Sequence, residues 1–331
     1  MTNTTNAAAV QYEPPARRRT RAAVAQNIAT KAPRNPLLSS APGRQAASHA
    51  DKTVRTATVI SEGRHKASGA VSVAWLTDTG PRDENQDRAV ARLHDDSSWL
   101  IAVADGLGGH PRGRDASKTA IKALPRLIDT QEAMYQAFKA AHETAFKLAP
   151  QYARYSRHEV RKCPASTLCV AAWTPAGGLL VGIAGDTRPV VLWRDDDSWH
   201  GRTLGRLHRN ISIYGYITKY LGAPRSWPAM GANDRDPMDI FADDDIDLPA
   251  DPTAIAVAIV SDGASEPLVR EVYAGKTKQA DPVGKAIAAC VTPDDREAHT
   301  IATRIMDTAR TAGLTDNATV AVAHITAATN D

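Results

Sequence analysis

Four aspartates in this 331-residue sequence stand at the ends of short apolar segments, where side chains from distant parts of a folded chain can meet. Asp105 follows the apolar segment 100–104 and precedes a glycine, and Asp262 has the same setting. Asp186 closes a third apolar segment, and Asp316 lies just ahead of a fourth. Carboxylates that meet at one edge of a sheet cannot all stay ionised without a cation nearby. The pattern therefore indicates a cation site.

A turn is the simpler interpretation of each aspartate taken alone, because Asp before Gly is common in turns. The four together favour a metal site, and oxygen ligands suit Mg²⁺ or Mn²⁺. Zinc is not expected, since His110 has no second His or Cys at ligand spacing. The acidic run 243–247 lacks the fixed Gly and distal Glu of a calcium loop, so we interpret it as a solvated surface segment.

A candidate phosphate-binding group stands close in sequence to a further carboxylate. Arg82 and Asp87 flank the polar stretch 83–86. An isolated arginine is usually a surface charge, but arginine can also grip a phosphate dianion through two parallel hydrogen bonds. Beside a metal cluster, Arg82 therefore indicates a phosphate substrate.

The elements that must position these residues are short strands with a few long helices. Strands are predicted at 71–75, 99–104, 167–173, 179–184, 190–194, 255–261 and 319–325. Helices are predicted at 115–128, 132–148 and 295–312. Several neighbouring strands are linked by only a few residues, and a parallel crossover needs a dozen or more, so these neighbours must pair antiparallel. The fold class is therefore α+β.

Charge divides the chain into two parts. Residues 1–70 hold eleven Lys or Arg and only three acidic residues, whereas the remainder holds 29 basic and 34 acidic residues. The first part has no apolar period, so we expect a basic, disordered N-terminal tail over 1–68. A solvated, dispensable extension is the simpler interpretation, and the alternative is an arm whose clustered arginines bind an acidic partner. Nucleic acid is not the expected partner, because no aromatic residues interleave with the arginines.

Composition excludes several classes of protein. Hydrophobic residues make up 43% of the chain and charged residues 23%, which excludes a wholly disordered protein. No segment reaches the ~18 apolar residues of a membrane-spanning helix, and the N-terminal residues lack a signal-peptide stretch. The three cysteines have neither metal-ligand nor redox spacing. We expect a cytoplasmic protein that does not enter a membrane.

Five motifs in order resemble those of the metal-dependent protein phosphatases, the protein phosphatase 2C family in its bacterial form. They are Arg82 to Asp87, Val103 to His110, Gly185 to Arg188, Ser261 to Gly263, and Asp316-Asn317. The resemblance implies a four-layer αββα sandwich, in which two antiparallel sheets are flanked by helices. It also implies a catalytic domain over 69–328, with a flap at about 204–247 beside the site.

The resemblance further implies a centre of two metal ions, Mn²⁺ or Mg²⁺. Asp105 would bridge both ions, and the carbonyl of Gly106 would bind the second. Asp262 and Asp316 would complete the first. Asp186, together with Asp262, would hold a weaker third ion.

On the same resemblance, Asp87 would hold metal-bound water and Arg82 would receive the substrate phosphate. Two residues depart from the family pattern. Gln86 stands where many relatives have Glu, which weakens the hold on the second ion's waters. Leu107 stands where some relatives have a His that acts as general acid, so the leaving group must be protonated from elsewhere.

These residues predict a monomeric serine/threonine protein phosphatase that acts on phosphoserine and phosphothreonine proteins. Two divalent ions ~3.5–4 Å apart can lower the pKa of a bridging water and neutralise charge on phosphoryl oxygens, so that water or hydroxide attacks the phosphomonoester. No protein nucleophile is then required. The alternative is a catalytically weak pseudophosphatase that binds a phosphoprotein or another partner, with the basic tail as a tether.

Overall fold

Two antiparallel sheets pack face to face, and the chain passes between them at one end of the sandwich. The computed structural model describes residues 60–68, 71–150, 162–195, 198–205, 209–210, 216–217, 219–222, 238–242, 245–246, 252–273 and 280–326. All of these belong to the unit Arg55–Asp331.

The described residues form thirteen strands and five helices. In chain order the strands are β1 (Ile60–Ser68), β2 (Val71–Asp78), β3 (Arg88–Leu93), β4 (Trp99–Ala104), β5 (Leu168–Thr174), β6 (Gly178–Ala184), β7 (Arg188–Asp195), β8 (Ser198–Thr203), β9 (Arg209–Asn210), β10 (Tyr216–Ile217), β11 (Asp239–Phe241), β12 (Ala254–Val260) and β13 (Ala318–Thr326). The helices are α1 (Gly113–Ala123), α2 (Gln131–Lys147), α3 (Asp262–Tyr273), α4 (Pro282–Ala289) and α5 (Ala298–Ala312).

The first sheet has the strand order β1-β2-β13-β12-β7-β8, and the second has the order β11-β6-β5-β4-β3. Every neighbouring pair in both sheets is antiparallel. The short β9 and β10 pair only with each other. The antiparallel pairing predicted from the short links is confirmed.

The central strands are apolar on both faces because each face is covered. In β4, Ile101 and Val103 lie in the core between the two sheets, whereas Leu100 and Ala102 pack towards the helices. Successive side chains of a strand point to opposite faces, so a strand covered on both sides is apolar throughout. All six residues of β4 are buried.

Helices cover the outer face of each sheet, which completes four layers. On the second sheet, α1 and α2 contribute Ala116, Met134 and Phe138 to one hydrophobic core. On the first sheet, α3, α4 and α5 contribute a separate core that includes Ile287 and Ile301. The predicted αββα sandwich of class α+β is confirmed.

Two helix boundaries differ from the prediction by three residues or more, for local reasons. Helix α1 ends at Ala123 because Leu124 precedes Pro125 and is extended, a conformation that proline imposes on the residue before it. Helix α5 begins at Ala298, since the Asp295 carboxylate accepts hydrogen bonds from the backbone and hydroxyl of Thr292 and so closes a turn there.

The polar edge strands and two of the helices were not predicted. β1 lies inside the segment 1–68 that the sequence assigns to the tail, so the described fold begins nine residues earlier than expected. Residues 1–59 lie outside the described part of the chain, as does most of the flap expected at 204–247. No helix within the described residues is long and apolar enough to cross a membrane.

Candidate active site

The predicted site residues lie at the end of the sandwich where the chain passes between sheets. The loop 79–87 leads from β2 to β3, and the loop 185–187 leads from β6 to β7. Asp87 immediately precedes β3, and Asp105 immediately follows β4. These strands pair antiparallel, and Arg88, the first residue of β3, lies opposite Ala104, the last residue of β4. The register therefore places Asp87 beside Asp105.

The first sheet brings two more aspartates to the same end. Asp262 follows β12 by two residues, and Asp316 precedes β13 by two residues, where these strands pair side by side. Asp262 begins α3 instead of occupying an isolated turn. A Cβ at Gly263 would lie 2.0 Å from the carbonyl oxygen of Asn317, so only glycine allows α3 to start so close to β13.

Asp87 is a buried carboxylate whose surroundings disfavour its charged form. The residue has no exposed surface, and neither carboxylate oxygen has a hydrogen-bond partner at ordinary geometry. Burial and, to a smaller extent, the charge of Asp316 raise the pKa of Asp87 to about 6. The hydroxyls of Thr319 and Ser261 lie near enough to lower that pKa in part, although both are bonded elsewhere.

The neighbouring carboxyls perturb one another. Burial raises the pKa of Asp105 well above its ordinary value, and the charges of Asp87, Asp262 and Asp186 raise it further. Burial likewise raises the pKa of Asp262 to about 7, with additional effects from Asp186 and Glu266. Four aspartates from both sheets thus form one electrostatic cluster, with Asp316 at its edge. Sequence reasoning missed Glu266, which lies one helical turn after Asp262.

Arg82 and Asp316 form an ion pair at the exposed side of this cluster. Nη2 of Arg82 lies 2.6 Å from Oδ2 of Asp316, and the two side chains are 51% and 39% exposed. A pair so exposed adds little to stability. Its importance is geometric, because it places a guanidinium at the rim of a buried acidic cluster.

Two pairs of threonines lie close to the aspartates. Thr77 and Thr319 share a hydrogen bond of 2.6 Å within the first sheet. Thr167, which directly precedes β5, and Thr187, in the loop 185–187, share one of 2.7 Å. The Thr167 hydroxyl also accepts the backbone N–H of Asp105 at 2.9 Å. Sequence reasoning gave these four no role. Their only signal is a threonine at the end of an apolar strand.

The segment after Asp105 is held by close backbone contacts. A Cβ at Gly106 would lie 2.5 Å from the carbonyl oxygen of Gly113, so glycine is required there. The side chain of Leu107 is buried and has no proton to donate. A ring nitrogen of His110, Nδ1, lies 2.9 Å from the carbonyl oxygen of Cys163, which ties this loop residue to the segment that precedes β5.

Comparison with known proteins identifies the family. A family model described as protein phosphatase 2C matches residues 82–299, about two thirds of the chain. The chain belongs to the protein phosphatase 2C family. No curated protein gives a significant match. The matched range includes Arg82, Asp87, Asp105, Gly106, Asp186 and Asp262, and it ends before Asp316.

Solved structures of bacterial serine/threonine phosphatases share the fold. Stp1 from Staphylococcus aureus has a TM-score of 0.52 at 20% identity, and the match covers 80% of this chain and 98% of that one. The S. agalactiae serine/threonine phosphatase has a TM-score of 0.51 at 18% identity, and the match covers 76% of this chain and 98% of that one. The catalytic domain of PstP, solved in complex with two manganese ions, has a TM-score of 0.50 at 20% identity, covering 77% and 98%.

The acidic cluster has the donor chemistry that this family's metal ions require. Its charged groups are carboxylates, which suit Mg²⁺ and Mn²⁺, and the buried oxygens of Asp87 have no hydrogen-bond partner. Among the described residues, however, no three His, Cys, Asp or Glu side chains are already arranged around one point. The carboxylates are thus neighbours that must rotate to share an ion, and Asp316 must release or share Arg82. With that adjustment, the residues present fit divalent ions.

Proposed function

We propose that this chain is a metal-dependent serine/threonine protein phosphatase that hydrolyses phosphomonoesters. The observation that carries the proposal is the buried group of Asp87, Asp105, Asp186 and Asp262 beneath an exposed guanidinium. A protein that buries several carboxyl groups close together must either keep some of them protonated or bind cations. The raised pKa values support a site that exchanges protons for cations.

The metal ligands in this proposal are Asp105, the carbonyl of Gly106, Asp262 and Asp316, with Asp186 and Asp262 as candidates for a third ion. Bound Mn²⁺ or Mg²⁺ would supply activation of water near neutral pH and charge neutralisation at the phosphoryl oxygens. Asp87 would accept a hydrogen bond from the attacking water and so orient it.

Arg82 binds the substrate phosphate. Its guanidinium is half exposed, so a phosphate from solvent can reach it, and Asp316 already fixes one of its nitrogens at 2.6 Å. The remaining N–H groups can donate two parallel hydrogen bonds to phosphate oxygens. The phosphorus atom is thereby held at the rim of the acidic cluster.

A cysteine nucleophile does not fit these surroundings. Cys163, Cys169 and Cys290 are buried free thiols. Burial raises the pKa of Cys169 well above its ordinary value and also raises that of Cys290, so neither forms a thiolate near neutral pH. Attack by water at the acidic cluster requires no such group.

Hydrolysis of p-nitrophenyl phosphate and of phosphoserine and phosphothreonine peptides tests the proposal. We expect activity with added Mn²⁺, loss of activity with a chelator, and loss in Asp262→Asn. Asp129→Asn is the matched control, because it makes the same change at an exposed position away from the cluster. Equal activity of Asp262→Asn and Asp129→Asn would refute the assigned ligand.

The Arg82–Asp316 pair favours one alternative, a catalytically weak pseudophosphatase that binds a phosphoprotein or another partner. If the pair persists, Asp316 is withheld from an ion while Arg82 remains next to the rim. This alternative predicts a folded protein that binds a phosphopeptide without hydrolysing it in saturating Mn²⁺. Measurable turnover under those conditions excludes it.

The proposed setting of the enzyme is a bacterial cytoplasm, where it acts in signalling as a monomer on phosphorylated proteins. The family assignment supports phosphoprotein substrates. The basic segment within 1–68 would bind an acidic partner and not nucleic acid. Size-exclusion chromatography with light scattering tests the monomer, and deletion of residues 1–59 followed by assays on a phosphopeptide panel tests the tail.

A further inference from the structure

The backbone of Gln86, in the loop 79–87, is held from both sides of the sandwich. The backbone N–H of Gln86 donates to Oδ1 of Asn317 at 2.9 Å, on the side of the first sheet. The carbonyl of Gln86 accepts from the Ser117 hydroxyl at 2.5 Å and from the backbone N–H of Gly106 at 3.3 Å, on the side of the second sheet. Gln86 therefore bridges the two groups of proposed ligands.

Asn317 holds the loop at two points. Its Nδ2 donates to the carbonyl of Thr79 at 2.8 Å while its Oδ1 accepts from Gln86, so one amide joins both ends of the loop. Its own backbone N–H donates to Oδ1 of Asp316 at 2.8 Å. Asn317 is 5% exposed, and both functions of its amide are satisfied, so its orientation is fixed.

The loop has other attachments that do not depend on Asn317. The backbone N–H of Gly80 donates to Asp78 at 2.8 Å, and Asn85 donates to the Thr77 hydroxyl at 2.9 Å. Arg88 donates to the carbonyl of Asn85 at 3.0 Å. These contacts secure the fold of the loop. The two side-chain bonds of Asn317 differ from them because they join the loop to the residue that directly follows Asp316.

We propose that Asn317 is a positioning residue: with Ser117 on the opposite side, it fixes the backbone of Gln86 and so sets the loop bearing Arg82 and Asp87 against Asp316. This inference rests on the proposed function, because it concerns residues assigned to the metal ions and the phosphate. Groups that orient metal ligands typically change metal affinity 10–100-fold when they are removed. Asn317 and Ser117 hold the two backbone groups of one residue, so their effects are coupled.

Isothermal titration of the full chain with MnCl₂ tests the role of Asn317 without relying on turnover. We expect Asn317→Ala to weaken Mn²⁺ binding by at least tenfold. Ser117→Ala should weaken it in the same direction, and Ser117→Thr, which keeps the hydroxyl, should restore it. The double variant Asn317→Ala/Ser117→Ala should lose less than the product of the two single losses, because both act through Gln86.

Ile305→Val is the control for a general loss of stability, because Ile305 lies in the core under α5, away from the site. It should lower the melting temperature and leave Mn²⁺ binding unchanged. Equal weakening of Mn²⁺ binding by Asn317→Ala and Ile305→Val would overturn the inference, as would Mn²⁺ binding by folded Asn317→Ala within twofold of wild type.

Two further outcomes separate this inference from the function on which it rests. Wild-type protein that binds no Mn²⁺ would overturn the proposed function, and the positioning role with it. If Asn317→Ala does not fold, the two Ser117 variants provide the test. Equal Mn²⁺ binding by Ser117→Ala and Ser117→Thr overturns the inference, and weaker binding by Ser117→Ala alone supports it.

Discussion

The ion-free protein should become more stable when Asp87 is replaced by Asn. Asp87 is fully buried, and burial raises its pKa from 3.8 to about 6. A pKa difference of one unit corresponds to about 1.4 kcal/mol, so the ionised side chain destabilises the ion-free fold by about 3 kcal/mol at pH 8. Asp87→Asn keeps the shape of the side chain and removes the charge.

The pH dependence of this effect follows from the direction of the pKa difference. Between about pH 6 and pH 4 the folded protein holds a proton at Asp87, whereas the unfolded chain is still ionised there. The destabilisation caused by the buried charge therefore decreases as pH falls. It should be about half as large at pH 5 as at pH 8. The same variant should bind Mn²⁺ more weakly, because a carboxylate at the proposed centre is lost.

Urea unfolding in the presence of a chelator measures both parts of this prediction. We expect Asp87→Asn to exceed wild type in free energy of unfolding at pH 8, and the difference to shrink at pH 5. Asp129→Asn, at an exposed site, should show no difference at either pH. Lower stability of Asp87→Asn at pH 8, or a gain that does not change with pH, would refute the reasoning.

Three further perturbations have defined outcomes. Gly106→Ala should cost about 1–3 kcal/mol in unfolding free energy and reduce activity, because its Cβ would meet the Gly113 carbonyl at 2.5 Å, whereas Gly108→Ala, with open space around it, should change neither. Burial, and secondarily Arg194, lowers the pKa of His324 to about 4, so protonation favours the unfolded chain below about pH 6.5. In urea unfolding, the free energy of unfolding of His324→Phe relative to wild type should therefore rise by about 3 kcal/mol between pH 7 and pH 4. A difference that stays constant with pH would contradict this. Arg82→Ala should raise KM for a phosphopeptide by about tenfold or more while lowering the Mn²⁺ concentration for half-maximal activity, because it removes a charged hydrogen-bond donor and frees Asp316. A higher Mn²⁺ concentration for half-maximal activity in Arg82→Ala than in wild type would contradict the competition between Arg82 and the ion.

Apolar segments with short links were sufficient to predict most of the sandwich. The segment 99–104 matches β4 residue for residue, and the segment 255–261 is displaced from β12 by only one residue. Such strands are recognisable because both of their faces are covered, which leaves a continuous apolar run. The edge strands β1 and β8 were missed because their sequences are mostly polar, and only backbone hydrogen bonds to β2 and β7 define them.

The site shows the same division between local and distant information. Asp105 and Asp262 are recognisable in the sequence because a strand end is a local feature, and the antiparallel order limits where such ends can lie. The sequence by itself determined the α+β class, the central strands, three of the helices and the acidic residues at the strand ends.

Only the tertiary structure decided which polar groups meet. Thr77 bonds to Thr319 across 242 positions, Gln86 to Asn317 across 231, and Arg82 to Asp316 across 234. The spacing of these residues along the chain does not predict such contacts, because they form where the two sheets and the loops between them come together. The burial that raises the pKa of Asp87 has the same origin, since it depends on what packs around the carboxyl and not on its neighbours in sequence.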